Sequence, residues 1–231
     1  MKEKIIKMPK EHRKNISSSD MFLTGSLLAI VGGFLDAYTY ILRGGVFANA
    51  QTGNIVLLAV NIAKGAFYQA SYYLIPIFAF ALGVYITEII KTSFTKRGFL
   101  KWEHFVILIE ILLLFIVGFL PLSVPHGIVN VTISLICSIQ VNSFRKIEGI
   151  PYASTMCTGN LRSCFENLFK YTHHKERQAL ISFLKYIGII LFFILGACIG
   201  AILSKSIGYH CIWFCDIILI ALFLIFTIRK D

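Results

Sequence analysis

Charged side chains are scarce in this sequence. Lys, Arg, Asp and Glu make up 15% of the 231 residues, 57% are hydrophobic, and the mean hydropathy is +0.75. A soluble domain of this length clothes its surface with roughly a quarter charged residues, so a soluble globular fold is excluded. Cysteine is missing from the first half; the six fall at Cys137, Cys157, Cys164, Cys198, Cys211 and Cys215. They form no C-x-x-C pair and no Cys/His group with zinc spacing, so no metal site and no dithiol redox centre is expected. Cys211 and Cys215, beside His210, stand four apart as on a helix, a spacing that small membrane-core residues also explain. H-E-x-x-H, G-x-S-x-G and P-loop motifs are absent, and His104, His126, His173, His174 and His210 fall in loops or at the ends of apolar runs. Neither an enzyme nor a bound cofactor is expected.

What the chain does have is long apolar stretches near the roughly 20 residues that a helix needs to cross about 30 Å of hydrocarbon. They are apolar on all faces, without the alternation of an outer-membrane barrel, and backbone in lipid must satisfy its own hydrogen bonds, so they read as helices. Six stretches qualify as spans: 21–42, 68–90, 103–121, 125–144, 179–204 and 209–228. Two more, 48–65 and 154–170, begin with polar and small residues and read as re-entrant or half helices. The net charge of +10 sits in the connections between the runs, the pattern of cytoplasmic loops and not of a nucleic-acid surface.

With six spans, the basic tail (1–20, with six Lys/Arg), the connection holding Lys91, Lys96, Arg97 and Lys101, the region from Arg145 to Arg177 and the Arg229–Lys230 end share one side. Arg43 and Lys64 are the exceptions. Eight full spans would put Lys91–Lys101 outside, which fits the positive-inside rule far worse. Both termini are therefore expected in the cytoplasm.

Thr52-Gly53-Asn54 recurs as Thr158-Gly159-Asn160, 106 residues later. The same offset pairs Asp36-Ala37 with Asn142-Ser143 and Lys64 with Lys170; after a small insertion, Leu82-Gly83 pairs with Leu195-Gly196. The sequence thus predicts an all-α integral membrane protein with about six transmembrane helices and two half helices. Its two repeats would be residues 21–121 and 122–231. Three spans per repeat is odd, so the repeats insert with opposite orientation, and half helices from such inverted repeats often meet at a substrate site near the midplane.

The glycines Gly53 and Gly159 suit irregular backbone, while Thr52, Asn54, Thr158 and Asn160 can cap a helix starting near Asn54 or Asn160. Two helix N-termini facing each other suit an anion or an electron-rich polar group; the alternative is that the turns satisfy only one another. Asp36 lies well inside its span, where a carboxylate implies an ion, proton or substrate role, or caps the amides of residues 53–55. Asn142, its repeat partner, has the same shape without charge, and Gln140 adds a second polar group. Glu110, deep in the third span, suits a proton path, and Arg162 serves as anion ligand or interfacial anchor. Asp216 pairs with a polar neighbour, Glu88 snorkels or pairs with Lys91, Lys185 snorkels, and Tyr38, Tyr40, Tyr72, Tyr73 and Trp213 form interfacial belts. Gly32-Gly33, Gly188, Gly196 and Gly200 allow close helix packing.

The run Gly33-Phe34-Leu35-Asp36-Ala37, then Gly44-Gly45-Val46-Phe47-Ala48-Asn49 and Thr52-Gly53-Asn54, resembles the signature of the YoaK family. Gln140, Asn142 and Thr158-Gly159 resemble its second-half pattern, so the likeness covers most of the chain. The resemblance implies a bacterial multi-pass protein of the plasma membrane with about six transmembrane helices, and adds Asn49 to the candidate site. It supplies no function. Two functions fit: a small secondary transporter or channel-like permease for a small polar or anionic solute, and a non-transporting membrane scaffold. A homodimer suits a chain of this size, though no residue specifies an interface.

Overall fold

A computed structural model of the chain describes residues 21–93 and 102–229; the basic tail, Lys96, Arg97, Lys101 and Lys230 lie outside the described residues. Among the described residues eight α-helices follow in order: α1 (Phe22–Leu42), α2 (Gln51–Ala63), α3 (Phe67–Ser93), α4 (Trp102–Val117), α5 (His126–Ser143), α6 (Cys157–His174), α7 (Arg177–Ser206) and α8 (Trp213–Arg229). Each of the six apolar stretches forms a helix, and the two weaker ones form α2 and α6. α1, α3, α7 and the stretch Gly208–Ile228 are long and apolar enough to cross a membrane. At 16 and 18 residues, α4 and α5 are shorter. α2, at 13 residues, extends only about 20 Å.

α1, α4, α5 and α8 share one apolar core, in which Leu28, Phe34, Ile107, Leu114, Ile133 and Leu219 are buried. Around it α7 lies along α1 and α3 along α5, while α6 packs on α7 and α2 on α3. Outward, Phe78 and Tyr85 of α3, Ile202 of α7 and Ile217 of α8 are exposed, the apolar exterior expected against lipid.

Small residues set the closest helix approaches. A Cβ on Gly33 would meet the Phe193 carbonyl oxygen, one on Gly196 would meet that of Ile30, and one on Gly200 would lie 2.8 Å from that of Phe34. Helices in lipid associate by such backbone-close packing, since apolar burial gives little drive there. Gly188 has a different neighbour, the Phe22 ring.

Several local expectations change. Glu148 and Gly149, both at positive φ, turn an antiparallel pair, β1 (Lys146–Ile147) and β2 (Ile150–Pro151), between α5 and α6. Two residues per strand are too few for alternation to show, but a pair at positive φ is a type I′ hairpin turn. Lys185 does not simply snorkel: its ammonium lies 2.6 Å from the Glu148 carboxylate. Cys211 falls in a 3-10 turn (Gly208–Ile212) ahead of α8, so it and Cys215 do not share one α-helix.

Arg43, an exception to the charge pattern, is fully buried. Its guanidinium donates to the carbonyl oxygens of Leu120 (2.6 Å) and Pro121 (3.1 Å) and to the Tyr38 hydroxyl (3.1 Å). Asn130 Nδ2 donates to the Arg43 carbonyl oxygen in turn. The planar fork fits two adjacent carbonyls, so Arg43 ties the end of α1 to the α4–α5 loop. Tyr38 is correspondingly a buried partner of Arg43 and not a belt residue.

Candidate functional site

The two threonine-glycine-asparagine segments are built alike. Asn54 accepts the Phe47 N–H at 3.0 Å and donates to the Phe47 carbonyl at 2.7 Å. Asn160 accepts the Ala153 N–H at 3.3 Å and donates to the Ala153 carbonyl at 2.7 Å. Phe47 and Ala153 are themselves 106 residues apart, so the repeat extends to hydrogen bonds. Both asparagines are buried and clamp the strand of chain that leads into their helix.

These helices start at Gln51 and Cys157, three residues earlier than residue spacing suggests. Asn54 and Asn160 are therefore not N-caps; each reaches back across the turn to backbone groups seven residues before it. Thr52 and Thr158 stand in the first turn, and neither α2 nor α6 has a side-chain hydrogen bond from its capping residue. Gly53 and Gly159 are helical and not at positive φ. A Cβ on Gly53 would come within 3.1 Å of the Phe47 ring, whereas Gly159 faces open space.

Asp36 holds the first turn at least four residues earlier than expected. Its Oδ1 accepts the Asn49 N–H at 2.7 Å, not an amide of residues 53–55. Asn49 in turn donates Nδ2 to the Gly32 carbonyl at 3.1 Å, so α1 holds the entry to α2 from two successive turns. Asn142 does not repeat this role. Its Nδ2 donates to Glu88 at 2.8 Å and its carbonyl accepts from Lys91 at 2.6 Å, turning it toward the end of α3. Glu88 and Lys91 are thus joined through Asn142, with Arg145 4.0 Å from Glu88. The second turn is held instead by Gln140, whose Nε2 donates to the Ser154 hydroxyl at 3.0 Å.

Between the turns lies a cavity of about 1170 Å³. Asp36, Asn49, Gln51 and Thr52 line it from the first half, and Thr155, Cys157, Thr158, Gly159 and Asn160 from the second. Its walls are apolar: Ile77, Phe80 and Ala81 of α3 face Phe193, Ile194 and Ala197 of α7. Among the described residues the lining contains one carboxylate, Asp36, and no Lys or Arg. The starts of α2 and α6 open on the same space, each with the partial positive charge of a helix N-terminus. Only the first carries an acidic side chain over it.

Of the sequence candidates, Asp36, Asn49, Thr52, Thr158, Gly159 and Asn160 come together on this cavity, while Gly53 and Asn54 shape the first turn from behind it. Gln140 and Asn142 are buried but do not line it. Arg162 is exposed on α6, donates to Glu166 at 2.7 Å and does not line the cavity. Glu110 is buried on α4, apart from the cavity. Thr155 was missed, although it stands 106 residues after Asn49. Asn49 Oδ1 and Thr155 Oγ1 are both buried without a hydrogen-bond partner among the described residues. The apolar walls were invisible because α3 and α7 are apolar throughout, and only packing separates wall from lipid face.

The family comparisons agree with the membrane architecture. The chain is 29% identical over 204 residues to the UPF0700 transmembrane protein YoaK of Bacillus subtilis (strain 168), an alignment covering 84% of this chain and 88% of that protein. No solved structure matches it. Residues 24–225, which hold both turns and all the cavity-lining residues, match the model of DUF1275, described as a protein of unknown function, and the chain belongs to that family of transmembrane proteins.

Proposed function

We propose that this protein is a small permease of the bacterial plasma membrane. It crosses the bilayer six times, with both termini in the cytoplasm, and consists of two inverted repeats. The repeat reading is supported by helix pairing that survives exchange of the halves: α1 with α7 corresponds to α5 with α3, and α2 with α3 to α6 with α7. α2 and α6 are the re-entrant elements. The observation that carries the transport reading is that both helix starts and Asp36 open on one cavity bounded by apolar walls.

The lining narrows the solute. A strongly anionic molecule would meet Asp36 and no side-chain cation, whereas a purely inorganic ion would leave the apolar walls unused. The arrangement favours a small organic molecule that brings a hydrogen-bond donor to Asp36 and an electron-rich group to the uncapped start of α6. A scaffold in which the paired turns are only a keystone is the rival reading, favoured by the clamps of Asn54 and Asn160.

Thiol labelling separates the two. In a cysteine-free background, single cysteines at position 51 (Gln51→Cys) and at the native Cys157 are exposed to an impermeant maleimide from each side of sealed vesicles. A permease gives reaction at both positions, from opposite sides as the turns alternate in facing water. Silence at both positions from both faces means dry packing, and transport is then rejected. Asp36→Asn keeps the shape of the cap and should leave expression near normal while altering the labelling rates.

A further inference from the structure

Glu110 of α4 and Asp216 of α8 are only 1% and 4% exposed, and both lie in the apolar layer where these two helices pack. All four of their carboxyl oxygens are buried and without a hydrogen-bond partner among the described residues. The helix register brings the two groups to nearly the same depth. His104 of α4 packs on Phe223 and Phe226 of α8, and Trp213 Nε1 donates to the Phe115 carbonyl at 3.2 Å, so the helices run antiparallel. Counting from these contacts sets Glu110 beside residues 217–220, within about one helical turn of Asp216.

Such carboxyl groups are not accounted for by structure. A buried carboxylate costs far more than a neutral polar group unless a cation or several N–H donors face it. From α8 Glu110 faces Asp216 and Cys215, and from α5 Cys137; each of these is neutral or would be an anion, and none supplies a positive charge. The Arg43 guanidinium is committed to Leu120, Pro121 and Tyr38 at the end of α4. Each side chain is thus an unpartnered polar group more than nine-tenths buried, and the two reach one interface from separate helices.

We propose that Glu110 and Asp216 form a proton-carrying site in the α4–α8 layer, separate from the cavity and independent of whether that cavity carries a solute. Both groups are held as neutral carboxylic acids in the closed core. Loss of a proton leaves an anion that only water or a partner can stabilise, so deprotonation opens the α4–α8 seam and reprotonation closes it. The sign follows: the acids keep their protons at low pH and lose them as pH rises, so this layer weakens with rising pH, opposite to a salt-bridged carboxylate.

The test is infrared spectroscopy of the full-length protein in lipid, read in the region of the protonated carboxyl C=O stretch. At neutral pH the wild type should show a band that shrinks in E110Q and in D216N, shrinks most in the double variant, and fades as pH is raised. Both amide variants should keep the wild-type melting temperature, because an amide repeats the shape and neutrality of the protonated acid. An unchanged band in the double variant overturns the proposal, since the acids are then ionised. So does failure of both single variants to fold, which assigns the carboxyls a structural partner. Loss of the band on adding sodium at constant pH also overturns it, in favour of a metal cation.

Discussion

The two turns spend the same length of chain in different ways. From Asp36 to the start of α2, and from Asn142 to the start of α6, the distance is 15 residues. In the first half α1 runs on for six residues past Asp36 before Gly44 and Gly45, at φ 88° and 73°, turn the chain. In the second half α5 stops one residue past Asn142 and a hairpin fills the remainder. Asp36 therefore sits within a helix, over the amide of Asn49, while Asn142 sits at a helix end and bonds to Glu88 and Lys91. The clamps of Asn54 and Asn160 are unaffected. The repeat thus preserves the backbone bonds that make each turn and varies the group that covers it, leaving one helix start beside a carboxylate and the other open.

The comparison breaks most severely at the helix seams. Gly196→Ala or Gly33→Ala drives a methyl into a backbone carbonyl across α1 and α7, where no rotation gives relief. The expected loss is about 3 kcal/mol, a large fall in melting temperature in detergent. Gly83, the counterpart of Gly196, meets the Ser138 hydroxyl, which can turn away, and the Leu135 carbonyl at 3.0 Å. Gly83→Ala should therefore cost only about 1 kcal/mol. Equal losses in both halves would show that the seams are more alike than this geometry indicates.

The clamps should respond in the opposite way, with equal losses. Asn54→Ala strips the Phe47 N–H and carbonyl of their partner, and Asn160→Ala does the same to Ala153. Each should lose about 2 kcal/mol and loosen its own turn, read as faster maleimide labelling at position 51 or 157. A loss confined to one half would mean that the repeated bonds are not a shared keystone.

How much of this was legible follows from which interactions leave a periodic trace. The helix bounds were, because apolar runs bracketed by charge and glycine fix them within a few residues. The cavity-facing pairs were also visible, since one offset links Thr52 to Thr158 and would have linked Asn49 to Thr155. The direction of Asn142 was not: it depends on where α5 ends, and the preceding serine, glutamine and valine do not mark that end. The burial of Arg43 was hidden because an arginine near a helix end looks the same in sequence whether it meets water or two carbonyls. The starts of α2 and α6 were misplaced because asparagine suits a cap, and only the fold shows it clamping backwards.

The smallest effect should come at Arg162. Its counterpart 106 residues earlier is Val56, an exposed apolar residue, so the outer faces of α2 and α6 have diverged even where their starts agree. Arg162 is exposed, and its partner Glu166 stands one turn along the same helix. Solvent screens such a pair, and both side chains lose freedom in forming it, so its net contribution is close to nothing. Arg162→Ala should leave the melting temperature unchanged and, more tellingly, leave the labelling rate of Cys157 unchanged. An anion ligand at this position would instead make labelling sensitive to the substitution and to added anions. If that sensitivity appeared, α6 would have to rotate in some state to carry Arg162 toward the cavity, and a side-chain cation would join the two helix starts that already open on it.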